Sequence, residues 1–324
     1  MKVKVTFDIN KARLVHLDWV IRVEKILDQN TESAPIALQH YQDCELGVWL
    51  HGAGRSKYRQ YEDILRLAVE HRRFHHAVDH MLLALHEGNL IKTRELLIGV
   101  RHMSKDIIYL LTLLELKTVE DMRLNQFGGG FLATIESWFS SNVNWLEPPN
   151  TKEASPSVDI TYARLAHLSW ASRLDHRFRN YGKGVALQAH DSCDFGAWIQ
   201  SVGLKKYADL DEIPLLETVH KGFHEAAARI IKHLQNRHLQ RAEEAYIDVQ
   251  NLSREIAWLL TLVEYRLKPQ DEPKRTIKKE QSEPQTQSLP SLPAAEKHPQ
   301  NETPPAPFVQ LSPIMAVAEH IMDH

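Results

Sequence analysis

Cysteine is almost missing from this chain, with two thiols in 324 residues. That excludes a disulfide framework and fits a reducing compartment, where thiols serve metal chemistry. Long apolar runs are missing as well: no stretch approaches the ~20 residues that span a bilayer. The N-terminus lacks the charged-then-apolar pattern of a signal peptide, so a cytoplasmic location without membrane contact is expected. Nor does one sign of charge dominate. A formal net charge of −3 gives no long-range pull toward nucleic acid or an anionic membrane, and neither is expected as a partner. What remains, 43% hydrophobic and 25% charged residues, is the balance of a globular protein long enough for two or three domains.

The two cysteines fall at matching places in an internal duplication. Cys44 opens Cys44-Glu45-Leu46-Gly47-Val48-Trp49, and Cys193 opens Cys193-Asp194-Phe195-Gly196-Ala197-Trp198. Each follows a His-x-x-Trp segment and precedes a His-x-x-x-His segment. His16 pairs with His167 at an offset of 151, and Cys44 with Cys193 at an offset of 149. From Ala37-Leu38-Gln39, matching Ala186-Leu187-Gln188, the second offset holds without a gap to Ile107/Ile256 and Leu110–Leu113/Leu259–Leu262. A match this long implies two copies of one domain.

Each copy reads as helical. Leu14, Leu17, Val20, Ile21 and Ile26-Leu27 form an apolar stripe at helical spacing, as do Ile107, Leu110, Leu111 and Leu114. Tyr58 to Leu85 contains no Gly or Pro, whereas breakers cluster at Pro35, Gly52–Gly54 and Gly88-Asn89, and at Gly182, Gly184 and Gly203 in the second copy. The expected fold is all-α: two tandem antiparallel four-helix bundles, over 7–117 and 158–267. Pro214 falls just inside the third helix of the second copy, where a first-turn proline is tolerated. The linker, 118–157, carries Phe131, Ile135, Trp138, Phe139 and Trp145, enough for a short amphipathic helix. The tail, 268–324, is rich in Pro, Gln, Ser, Glu and Lys and reads as disordered. Its last stretch, Pro313–Met322, regains apolar residues at helical spacing, which suits equally a short helix that docks a partner and a frayed end without one.

Register separates functional histidines from incidental ones. Of the nine in the first copy, only His16, His71 and His75 recur; the others face residues such as Gln200, Glu225, Arg229, Gln235 and Asn251. Three imidazoles and one thiolate make a complete tetrahedral zinc shell, and the chain carries it twice: His16, Cys44, His71 and His75, then His167, Cys193, His220 and His224. His71 and His75 stand one helical turn apart, so both can face one ion. The thiolate argues against magnesium or calcium, and the missing bridging carboxylates argue against a di-iron site. A catalytic zinc keeps one position open for water; a shell of four side chains does not, so no catalytic residues are assigned and no enzyme activity is expected.

Other motif positions have steric readings. Gly47 and Gly196, within helices, point to the close approach of a neighbouring helix. Trp49 and Trp198 read as core anchors, and Trp19 and Trp170 as roofs over the two sites. Gln39/Gln188 and Asp106/Glu255 are candidate partners for the histidines. Gly222, where the first copy has Arg73, loosens the second histidine pair, so the second site is expected to lose metal first.

At these residues the chain resembles the chemoreceptor zinc-binding (CZB) domain family, through His16-x-x-Trp19, Cys44-x-Leu46-Gly47-x-Trp49 and His71-x-x-Phe74-His75, and through their second-copy counterparts. The resemblance implies four-helix bundles holding Zn2+, two ions per chain, through the eight residues named. It implies a cytoplasmic sensor of zinc or thiol oxidants in bacterial chemotaxis or cyclic-di-GMP signalling, in a family that tends to pair as dimers. Here the pairing would be either an intramolecular pseudo-dimer or a homodimer. No long heptad signalling region and no Gly-Gly-Asp-Glu-Phe motif accompanies the two copies, so output is expected through a protein partner. A zinc buffer, a structural scaffold and a zinc hydrolase are the alternative readings.

Overall fold

A computed structural model of the chain describes residues 7–29, 39–127, 154–179 and 187–268. The described residues are helical and contain no strand. The first copy comprises α1 (Phe7–Gln29), α2 (Glu45–His51), α3 (Ala53–Lys57), α4 (Asp63–His86) and α5 (Leu90–Phe127). The second comprises α6 (Pro156–Arg179), α7 (Asp194–Trp198), a π-helical turn (Ile199–Gly203), α8 (Leu204–Lys206), α9 (Glu212–Gln235) and α10 (Leu239–Arg266). The architecture is all-α, two helical bundles in tandem. The amphipathic helix expected around Phe131–Trp145, the tail beyond 268 and its terminal helix lie outside the described residues.

Helical periodicity explains which faces are buried. On α4, Ile64, Leu67, Phe74, Val78 and Met81 recur at three- and four-residue steps and are buried, with His71 and His75 on the same face. On α9 the equivalent stripe is Ile213, Leu216, Phe223 and Ile230, with His220 and His224. Pro214 sits in the first turn of α9, where a missing N–H leaves no helical bond unmade. Each of these helices turns back onto a long partner, α4 onto α5 and α9 onto α10. The first reversal uses Gly88 at φ 71°; its register mate is Arg237 at φ 57°, a left-handed conformation that suits glycine better.

The second helix of each bundle is short and interrupted. In the first copy it breaks at Gly52, between α2 and α3; in the second it passes through the π-helical turn. Trp49 packs so closely over this corner that a Cβ on Gly54 would meet its ring at 2.6 Å. Each corner is tied to the start of the copy's first helix. Tyr58 donates to Asp8 at 2.8 Å and Tyr207 to Asp159 at 2.7 Å, with Lys57 and Lys206 on the same carboxylates.

The copies pack on each other through α1, α5, α6 and α10, and one apolar core runs through both. At its centre lie four charges from four helices. Arg13 pairs with Glu115 at 2.5 Å and Arg164 with Glu264 at 2.9 Å, all of them buried. Asn10 crosses from the first copy to donate to Glu264 at 2.7 Å. Burying such ions is costly unless they are paired. Each is paired here, while Arg13 Nε, Glu115 Oε1 and Arg164 Nε and Nη1 have no hydrogen-bond partner among the described residues. Toward the periphery, Arg254 pairs with Asp106 at 2.6 Å, Tyr265 donates to Asp18 at 2.6 Å, and Lys105 pairs with Glu255.

Candidate metal centre

The thiols are placed by the backbone. Cys44 is the residue before α2 and Cys193 the residue before α7, each in extended conformation. Each sulfur accepts from the amide three residues on, Gly47 N and Gly196 N, at 3.3 Å. This geometry gives the motif glycines their steric reason, and it differs from the expected neighbouring helix. A Cβ at Gly47 would lie 1.9 Å from the carbonyl oxygen of Tyr41, and one at Gly196 would lie 1.8 Å from that of His190. The obstruction is the turn that delivers the cysteine.

Opposite each thiol stands the histidine pair of the following long helix. Cys44 Sγ lies 3.3 Å from His71 Nε2, and Cys193 Sγ lies 3.4 Å from His220 Nε2. Two ligands sharing one tetrahedral zinc would be separated by about 3.5 Å, given Zn–S near ~2.3 Å and Zn–N near ~2.0–2.1 Å. Ring centroids of His71 and His75 are 4.7 Å apart, as are those of His220 and His224. The donor atoms of Cys44, His71 and His75 all lie within 4.8 Å of one another, and so do those of Cys193, His220 and His224.

His16 and His167 complete the expected sets less directly. Their rings stand at 6.5 Å from His71 and 6.3 Å from His220, and each gives its Nε2 to a serine at 2.9 Å, Ser104 and Ser253 respectively. Both are buried beside the cluster, on α1 and α6. The structure thus brings the donor atoms of three of each predicted four within 4.8 Å of one another and stations the fourth alongside. The serines are functional candidates that sequence reasoning passed over.

Burial sets the ionisation of the donors. It pushes His16 and His220 down to about 3, and His75 and His224 to about 4. His167 is held well below the usual histidine range for the same reason. Neutral imidazole is the form that binds metal. For the thiols burial acts in the opposite sense: Cys44 is raised and Cys193 is pushed up to about 11, against the lowering effect of the glycine amides. A cation beside them reverses that preference and favours the thiolate.

The residues fit a zinc ion on two observations. The donor set, one sulfur and imidazoles in a buried cluster, matches zinc's preference for S and N ligands. In the second copy His224 Nδ1 lies 3.1 Å from the backbone carbonyl of Gln188, while its Nε2 is buried with no hydrogen-bond partner among the described residues. A histidine whose Nδ1–H is fixed by a carbonyl presents Nε2 as a lone pair. In the first copy the main chain of Gln39 acts on His75 in the same sense, raising it against the lowering effect of burial. Both glutamines therefore act through their main chain. Asp106 and Glu255, the other suggested partners, are engaged across the copies instead. Trp19 lies 5.2 Å from the ring of His75 and Trp170 lies 4.4 Å from that of His224, covering each pair. Trp49 and Trp198 pack at the corners against Tyr58 and Tyr207.

Comparison with known proteins agrees with this geometry. Residues 16–82 and 167–231 each match the family model of the chemoreceptor zinc-binding domain, CZB. No curated protein and no solved structure matches the chain. No helix among the described residues is long and apolar enough to cross a membrane.

Proposed function

The chain carries two chemoreceptor zinc-binding domains, and from that premise we propose that it is a cytoplasmic sensory or regulatory protein with two His3Cys zinc sites. It modulates a bacterial signalling partner, in chemotaxis or cyclic-di-GMP signalling, as zinc or thiol oxidants change the state of those sites. The observation that carries the reading is the pairing of a buried thiol with a buried histidine pair, in the same geometry, in both copies.

His16, Cys44, His71 and His75 hold the first ion, and His167, Cys193, His220 and His224 the second. When bound, zinc supplies the positive charge that keeps the thiolate and the imidazoles together in a dry cluster. Four donors leave no place for a reacting water, which speaks against hydrolysis. The ligands come from three separate parts of each bundle, so losing one donor changes how those parts are held. Cys44 and Cys193 make the sites responsive to oxidants, since oxidation of the sulfur removes a ligand.

A route to output is built into α1 and α6. His16 lies one turn from Arg13, and His167 one turn from Arg164, at the buried charges between the copies. The copies then act as a covalently joined pseudo-dimer whose packing reports on both sites. The test is a pull-down with the zinc-loaded and the zinc-stripped chain. Proteins captured in only one metal state support the reading; identical captures in both states contradict it.

A further inference from the structure

We propose that the outer face of α4 carries an additional, solvent-accessible site for a divalent transition-metal ion, built on His76 and His80 with Asp79 and His40 beside them. It is distinct from the buried cluster and belongs to the first copy alone.

Residues His71 to His80 contain two His-x-x-x-His pairs in succession, 71/75 and 76/80. The inner pair shows what this spacing does on this helix: its rings come within 4.7 Å. The outer pair has the same one-turn separation, and both its members are exposed. Asp79, also exposed, lies within electrostatic reach of His76, His80 and His40. His40 comes from the turn that precedes Cys44, and Arg72 of α4 reaches over Tyr41 of that same turn. His76 and His80 thus stand one turn apart on an exposed face of α4, with Asp79 and His40 within electrostatic reach.

The two arginines nearest in sequence are engaged with other side chains. One turn before His76, Arg72 lies over the Tyr41 ring at 5.7 Å, and Arg73 is paired with Glu70 at 2.9 Å. The ligand class follows from the donors: imidazoles with one carboxylate suit zinc, nickel or copper better than magnesium or calcium. Exposure makes the site weaker and faster to exchange than the buried one. Its position beside His75 suits it to take metal from solution next to the first buried cluster.

The second copy supplies a built-in comparison. In register with His40, His76, Asp79 and His80 stand Ala189, Glu225, Ala228 and Arg229. None of the imidazoles survives, and an arginine takes the place of one.

The experiment is a calorimetric zinc titration of the full chain, begun after weakly held metal has been removed by gel filtration. The wild type is expected to take up one further equivalent, weaker than the metal it retains. That equivalent should be lost in the His76→Gln/His80→Gln double variant and kept in His86→Gln. Counting only metal beyond what is retained separates this result from any failure of the buried sites. The proposal is overturned if the wild type takes up no further equivalent, or if the double variant still does.

Discussion

His16 Nε2 lies 2.9 Å from Ser104 Oγ, and His167 Nε2 stands at the same distance from Ser253 Oγ. Each serine is buried on the long helix opposite, α5 or α10, and the bond fixes the orientation of an imidazole that no other hydrogen bond is seen to hold among the described residues. Where Nε2–H donates to the hydroxyl, Nδ1 is left as the lone pair for the cluster. Partners of this kind tune metal affinity by about 10–100-fold. Ser104→Ala is therefore expected to weaken zinc binding about tenfold or more at the first site alone, and Ser253→Ala at the second alone. Chelator competition on each variant, with circular dichroism to confirm unchanged helicity, measures this.

Glycines at three positions should respond in opposite ways. Gly47→Ala and Gly196→Ala drive a Cβ to within 2 Å of a backbone carbonyl, 1.9 Å and 1.8 Å respectively, and backbone cannot swing aside. Each should cost more than about 2 kcal/mol and abolish zinc binding in its own copy. At Gly222 the nearest atom to an added Cβ is Leu252 Cδ1 at 3.9 Å, an ordinary contact. Gly222→Ala should stabilise α9 by about 1 kcal/mol and slow the loss of zinc from the second site. Denaturant midpoints and the two phases of chelator extraction are the readouts; extraction from the first site before the second would contradict the expected order.

The buried charges between the copies predict an asymmetry between single and paired substitutions. Arg13→Met strands Glu115 in the core and should cost about 3–5 kcal/mol. Arg13→Met combined with Glu115→Leu removes both ions and should recover most of that loss. Equal destabilisation by the single and the double variant in a urea titration would show that the pair is not the determinant.

Acid should unfold the metal-free protein early. Burial holds the six cluster histidines below their ordinary 6.5, so the unfolded chain takes up protons that the folded chain refuses. Their contribution to stability is fully present above pH 6.5 and is lost as pH falls toward the folded values, which run from about 4 for His75 down to about 2 for His71. Glu264 adds to the acid limb. Burial raises it, but Arg164 and Arg13 outweigh burial and hold it below 4.5, so its share persists above pH 4.5 and disappears as pH falls through its lower folded value. Urea midpoints of the zinc-free chain should drop steadily from pH 7.5 to pH 5. A flat profile over that interval would contradict the burial of these imidazoles.

The internal repeat made much of this legible without coordinates. Register alone selected His16, His71, His75 and Cys44 among many histidines, because a ligand set cannot drift between copies while surface residues can. The same register carries Ser104/Ser253, Arg13/Arg164 and Glu115/Glu264, whose roles appear only in the packing. A serine is not a zinc ligand, so the match of Ser104 with Ser253 in register assigns it no role without the packing. Arg13 lies beside the apolar stripe of α1, and its burial depends on three other helices, which the periodicity of one helix cannot show. A glycine at position 47 of the motif points by spacing to a neighbouring helix; the obstruction is the carbonyl of Tyr41, a contact within the local turn that helical spacing does not encode. The second helix of each bundle is broken at a corner packed by Trp49 and Trp198, and only the first of the two corners is marked by a glycine pair, Gly52 and Gly54.

The central claim, that each thiol anchors one zinc, is tested most directly by the metal content of the full chain after gel filtration with a weak chelator. The account predicts two zinc ions per wild-type chain, one in Cys44→Ser, one in Cys193→Ser and none in the double variant. Two ions retained by the double variant would contradict it.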